Sequence, residues 1–134
     1  MTSNEAYAWA AGIIDGEGCI ALYPCTGGYN ARLVVGNTDR RMLDRLADMF
    51  GGNVTPMQQS VQPCWRWQLS DSSRIFTALA LMEEYLVAKG EQAALMQQYI
   101  MTVGLDLTDE IRRRREEICL ELRELKRHVP QVTG

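Results

Sequence analysis

Two acids and two glycines alternate at Asp15-Gly16-Glu17-Gly18, directly after the apolar pair Ile13-Ile14. Carboxylates at this spacing are hard oxygen donors, the kind that holds a divalent cation. The residues before them, Ala6 to Gly12, are mostly alanine and glycine, and Thr2-Ser3-Asn4-Glu5 has the hydroxyl-to-carboxylate spacing of a capping box. A helix therefore starts near Thr2 and delivers its C-terminal end to the acids. That end carries partial negative charge, which disfavours Asp15 and Glu17 and calls for a compensating cation. Gly16 and Gly18 are expected to let the backbone turn with positive φ beside them. Ala8 and Gly12 stand four apart, as do Tyr7 and Ala11, so a small-residue face is available for close approach of a second helix.

The elements that must position this stretch follow in order. Residues 19–24 and 30–36 alternate as strands and are joined through Gly27-Gly28 into a hairpin. Thr38 is the expected N-cap of a helix that Gly51-Gly52 closes, with Met42, Leu43, Leu46, Ala47 and Phe50 as its apolar stripe. A second hairpin is predicted from 53–59 and 64–70, with Trp65, Trp67 and Leu69 facing a core and Arg66, Gln68 and Ser70 facing away. Asp71-Ser72-Ser73 opens a helix that runs through Leu86, Lys89-Gly90 interrupts it, and another helix spans Glu91 to Val103. The last helix begins at Leu107-Thr108, carries the basic run Arg112 to Arg115, repeats Ile111, Ile118 and Leu125 every seven residues, and stops at Pro130. The fold class is α+β: an αββαββα sandwich in which a four-stranded antiparallel sheet has helices on one face and keeps the other free, plus C-terminal helices. The expected division is a domain over 1–104 and an amphipathic helix and tail over 105–134.

Composition bounds the rest. At 134 residues, 46% hydrophobic and 23% charged, the chain is one globular domain. No apolar run approaches the roughly 20 residues needed to span a bilayer, and no signal peptide is evident, so an intracellular protein with no membrane partner is expected. Cys19, Cys25, Cys64 and Cys119 show no CxxC pair and no zinc spacing, and are read as reduced thiols. His128, the one histidine, is read as a surface residue. A net charge of −3 excludes a wholly basic protein but leaves room for a local basic face.

Ala10 to Gly18, AAGIIDGEG, resembles the nine-residue signature of the LAGLIDADG homing endonucleases, and it is followed by a strand as in that family. The order of elements is similar to one half of such an enzyme over about the first hundred residues. The resemblance implies that the signature helix forms a dimer seam through Ala8, Ala11, Gly12 and Asp15. It implies that Glu17, with Gly16 beside it, binds a catalytic Mg2+ or Mn2+. The stretch from Tyr85 to Ala93 is similar to the family segment with a lysine before Gln-Ala, which casts Lys89 as the lysine that approaches the scissile phosphate. Asn37 falls where the family often places a polar residue that positions water; a helix-turn role is the alternative.

The same resemblance makes the open sheet face a platform for double-stranded DNA. Strand parity assigns Tyr23, Arg32, Thr55, Gln59, Arg66 and Gln68 to it, with arginine suited to guanine and glutamine to adenine. One motif per chain implies a homodimer, because cutting both strands takes two centres. The implied activity is a site-specific double-strand endonuclease that leaves short 3′ overhangs and has no small-molecule substrate. The alternatives are a non-cleaving relative, such as a transcriptional regulator or an intron RNA maturase, and a dimer module that binds no nucleic acid.

Overall fold

Residues 2–57 and 62–127 are described by a computed structural model. Thr2 caps helix α1 (Ser3–Glu17) as its spacing predicts: its Oγ1 accepts from the Glu5 amide at 3.2 Å and donates to the Glu5 carboxylate at 3.0 Å. The chain continues through β1 (Gly18–Cys25), β2 (Gly28–Asn37), α2 (Arg40–Phe50), β3 (Asn53–Met57), β4 (Cys64–Leu69), α3 (Ser72–Met82), α4 (Gly90–Met101) and α5 (Asp109–Arg127). One turn of 3-10 helix, Glu83–Tyr85, follows α3. The predicted order of elements holds, and the fold is the α+β arrangement with a four-stranded antiparallel sheet.

Some boundaries differ from the expectation. The N-cap of α2 is Asp39, whose side chain accepts from the Arg41 amide at 3.0 Å, not Thr38. The cause lies upstream: the Asn37 side chain accepts from the Asp39 amide at 2.7 Å and makes the turn one residue later. Helix α3 ends at Met82 instead of reaching Leu86, because the chain tightens into the 3-10 turn and is extended at Leu86. Gln58 to Val61 of the second hairpin, His128 and Pro130 lie outside the described residues.

Strand order is β1-β2-β4-β3, and the register settles which side chains share a face. Ile20 pairs with Leu33, Leu22 with Ala31, Val35 with Trp67 and Leu33 with Leu69, forming the covered face. Against it pack Ala10, Ala11 and Ile14 of α1, Leu43, Leu46 and Phe50 of α2, Ile75, Leu79 and Met82 of α3, and Ala93 and Met96 of α4. Trp67 is fully buried with its indole N–H donated to the Gly51 carbonyl at 2.8 Å, so its area enters the core with no polar group stranded. Ile118 and Leu122 of α5 join the same core, and the Cys119 thiol donates to the Leu22 carbonyl at 3.5 Å. α5 thus lies beside the edge strand β1, whose free backbone groups would otherwise invite further pairing. No helix among the described residues is long and apolar enough to cross a membrane.

Candidate active site

The C-terminal end of α1 is where the two acids part company. The Asp15 carboxylate accepts from three backbone N–H groups across the fold: Val87 at 2.8 Å, Ala88 at 3.0 Å and Lys89 at 3.0 Å. These amides enter α4, so the carboxylate sits at a helix N-terminus, where its charge is favoured. Within the single chain, the Asp15 carboxylate is thus held by backbone amides of its own fold. Ala11 is completely enclosed in the core of the single chain.

The compensating cation demanded by the helix end is supplied by a side chain. Lys89 Nζ donates to the carbonyls of Ile14 at 3.0 Å and Asp15 at 2.9 Å in the last turn of α1, where the Ile14 carbonyl also accepts the Gly18 amide. Burial pushes this ammonium below the ordinary lysine value; Asp15 and Cys19 act the other way, and Lys126 adds to the lowering. With two of its three N–H groups placed, Lys89 keeps one for another acceptor.

Glu17 stays exposed at the end of the helix, and its Oε2 accepts from the Asn37 amide nitrogen. The other end of that amide accepts from Asp39 at the start of α2, so Asn37 ties the carboxylate to a second helix. Gly16 is exposed in the last turn of α1. Neither Gly16 nor Gly18 has positive φ, contrary to expectation: the positive-φ glycines among the described residues are Gly27, Gly28, Gly51, Gly52 and Gly104. Gly18 is needed for space, because a Cβ there would come within 2.8 Å of the Ile14 backbone.

The open face of the sheet extends from this end. Tyr23, Arg32, Thr55, Arg66 and Gln68 all lie on it, since Arg32 pairs with Ala21, Tyr23 with Asn30, Thr55 with Arg66, and Gln68 with Val34 and Asn53. The Arg32 guanidinium stacks 5.5 Å over the Tyr23 ring, Gln68 donates to Ser70 at 2.9 Å, and Arg66 is exposed. Gln59 lies outside the described residues.

Comparison with solved structures finds the same architecture under low sequence identity. The archaeal intron-encoded homing endonuclease I-Vdi141I, complexed with DNA, matches with a TM-score of 0.82 and 11% identity over 99% of this chain and 91% of its own. The homing endonuclease I-CvuI, in complex with a DNA target in the presence of Mg, gives 0.81 and 19% over 97% and 87%. The fold is that of the LAGLIDADG homing endonucleases. The LAGLIDADG meganuclease I-AabMI, bound to uncleaved DNA, gives 0.70 and 16% identity over 84% of this chain but only 43% of its own. No protein-family model and no curated protein matches the sequence.

Within the LAGLIDADG fold, the structure gathers Glu17, Asn37 and Lys89 at one end of α1 and leaves Ala8, Gly12 and Gly16 exposed along its outer side. Sequence reading missed Lys126, whose Nζ lies 3.4 Å from the Cys19 thiol at the same end. The signal was present in α5: Ile118 and Leu122 are buried, and four residues further the same face reaches Lys126. The basic run does not act as one unit. Arg115 caps α4, donating to Thr102 Oγ1 at 2.9 Å and its carbonyl at 2.7 Å, while Arg114 pairs with Glu117 at 3.2 Å and Glu121 at 3.4 Å, and Arg112 lies 3.7 Å from Asp109.

Proposed function

We propose that the chain is one half of a homodimeric, divalent-metal-dependent endonuclease that cuts both strands of a specific DNA site. The observation that carries the reading is the exposed Glu17 carboxylate, steered by Asn37, at the junction of α1 and an open sheet face bearing Arg32, Arg66 and Gln68. The similar structures solved with DNA support a DNA target.

The second copy is argued from glycine. Gly12 and Gly16 lie within a helix, where each costs about 1 kcal/mol relative to alanine. A Cβ at either would meet nothing within 4 Å in the chain itself, so the fold of the single chain does not explain them. With Ala8 they make a smooth exposed strip on which an identical helix can pack closely. The single unit spans 43% of the I-AabMI chain, which fits two units where that protein has one chain.

The donor set fits a hard cation. Glu17 and the Gly16 carbonyl offer oxygen, no group of three acidic, thiol or imidazole side chains gathers among the described residues, and the second copy's Glu17 with DNA phosphate and water would fill the shell. When bound, such an ion would polarise the phosphodiester and lower the pKa of attacking water. The chain's own residues do the positioning. Asn37 fixes the Glu17 carboxylate, Lys89 directs its remaining N–H toward phosphate, and the sheet face sets the register of the duplex by contacts worth about 1–3 kcal/mol each.

Selection from a randomised duplex pool tests this reading. Cleaved products should appear with Mg2+, disappear with EDTA, and carry partly palindromic sites that mirror the twofold symmetry. Recovery of bound but uncut duplexes in Mg2+ would favour the non-cleaving regulator or maturase reading, to which the net charge of −3 lends support.

A further inference from the structure

We propose that Lys126 is a second phosphate-binding cation of this site, engaging the DNA backbone alongside Lys89. The inference rests on the nuclease reading and extends it to the C-terminal helix.

Lys126 Nζ lies 3.4 Å from Cys19 Sγ. Cys19 pairs with Val34, so it belongs to the open face, and it stands two residues beyond Glu17. The last turn of α5 therefore brings its ammonium onto the DNA side of the sheet at the Glu17 end. Lys126 is exposed there, and it is close enough to Lys89 to disfavour that lysine's charge.

Both ammonium groups reach the C-terminal end of α1, Lys89 through the carbonyls of Ile14 and Asp15 and Lys126 through Cys19, and two cations at one end call for an anion. Of the nearby carboxylates, Asp15 is taken by the amides of Val87, Ala88 and Lys89, and Glu17, tied to Asn37, is the oxygen donor assigned above to the divalent cation. The ion pairs Arg40–Asp44, Arg41–Asp39, Arg112–Asp109, Arg114–Glu117 and Arg114–Glu121 involve neither lysine. A thiol is a poor partner for an ammonium, so the Cys19 contact does not satisfy Lys126. A phosphodiester does: it is anionic, and its oxygens take one charged N–H from each lysine. The competing explanation is that Lys126 merely complements the dipole at the end of its own helix.

The test uses the full chain and a duplex recovered from a randomised pool by the wild-type protein. Lys126→Met should slow single-turnover cleavage in Mg2+ roughly tenfold or more. In EDTA it should reduce the slope of log affinity against log salt by about two, the loss of one phosphate contact from each protomer of the pair. Lys126→Arg should restore both, and the melting temperature should be the same for all three proteins. A Lys126→Met protein with wild-type rate and slope would overturn the role of Lys126 alone. A lowered melting temperature in Lys126→Met that arginine restores, with the cleavage rate and salt slope at wild-type values, would assign Lys126 to the helix end and also overturn it. A wild-type protein that neither binds nor cuts any duplex in the pool would overturn the nuclease reading, and this inference with it.

Discussion

Asp15 and Glu17 are two residues apart and chemically alike, yet the fold gives them opposite duties. Asp15 is a clasp that fixes the approach to α4 with three amide hydrogen bonds, and Glu17 is the carboxylate left to solvent. Replacing Asp15 by alanine strands those amides, so thermal or urea unfolding should show a loss of about 2–3 kcal/mol, with Asn at the position recovering part of it. A wild-type unfolding curve for Asp15→Ala would contradict the clasp. Lys89→Met should act on both stability and rate: it removes the ammonium from the end of α1, costing about 1 kcal/mol, and slows single-turnover cleavage. Nothing in the spacing of Asp-Gly-Glu-Gly separates the two acids, because the amides that do so lie more than seventy residues downstream. The signature itself was legible, since a nine-residue pattern of small and acidic residues is a local property.

Helix α1 has two faces with different owners. Ala10, Ala11 and Ile14 belong to the core, while Ala8, Gly12 and Gly16 face out. Spacing alone ran both faces together, because alanine suits a crowded core and a close helix contact equally well. Gly12→Leu adds a side chain that meets nothing in its own chain. The variant should keep or slightly raise the stability of the monomer, as leucine favours helix over glycine, while sedimentation shows the dimer lost. An intact Gly12→Leu dimer at micromolar concentration would place the seam elsewhere.

The sheet was more legible than the helix faces, since alternation with period two assigns every side chain once one tryptophan is known to be buried. Trp67 supplies that anchor, and Arg32 and Arg66 then fall on the open side. Arg32→Ala and Arg66→Ala should each weaken binding to the selected duplex by about 1–3 kcal/mol per protomer and leave the melting temperature within a degree or two. Full affinity in both variants would show that DNA does not lie on this face. What alternation did not reveal was the place of α5 beside β1, a tertiary contact that brings Lys126 to Cys19 across 107 residues of sequence.

At the scale of the whole molecule, a net charge of −3 coexists with a proposed DNA site because the charges are sorted. Glu117 and Glu121 on α5 are engaged by Arg114, and Asp15 is absorbed by backbone amides. The cations that remain at the open face and the end of α1 are Arg32, Arg66, Lys89 and Lys126. In a twofold pair both sets would line one continuous surface, with a Glu17 near its centre from each copy. Glu17 is then the residue on which cleavage, but not binding, depends. The most direct measurement is single-turnover cleavage of a selected duplex by wild type and Glu17→Gln, each in Mg2+ and in EDTA, with affinity measured in parallel. Glutamine keeps the size and loses the charge that holds the cation, so cleavage should fall by about two orders of magnitude or more in Mg2+, to the level of wild type in EDTA, while affinity is retained or rises. Equal cleavage by the two proteins in Mg2+ would contradict the assignment of Glu17 to the reaction.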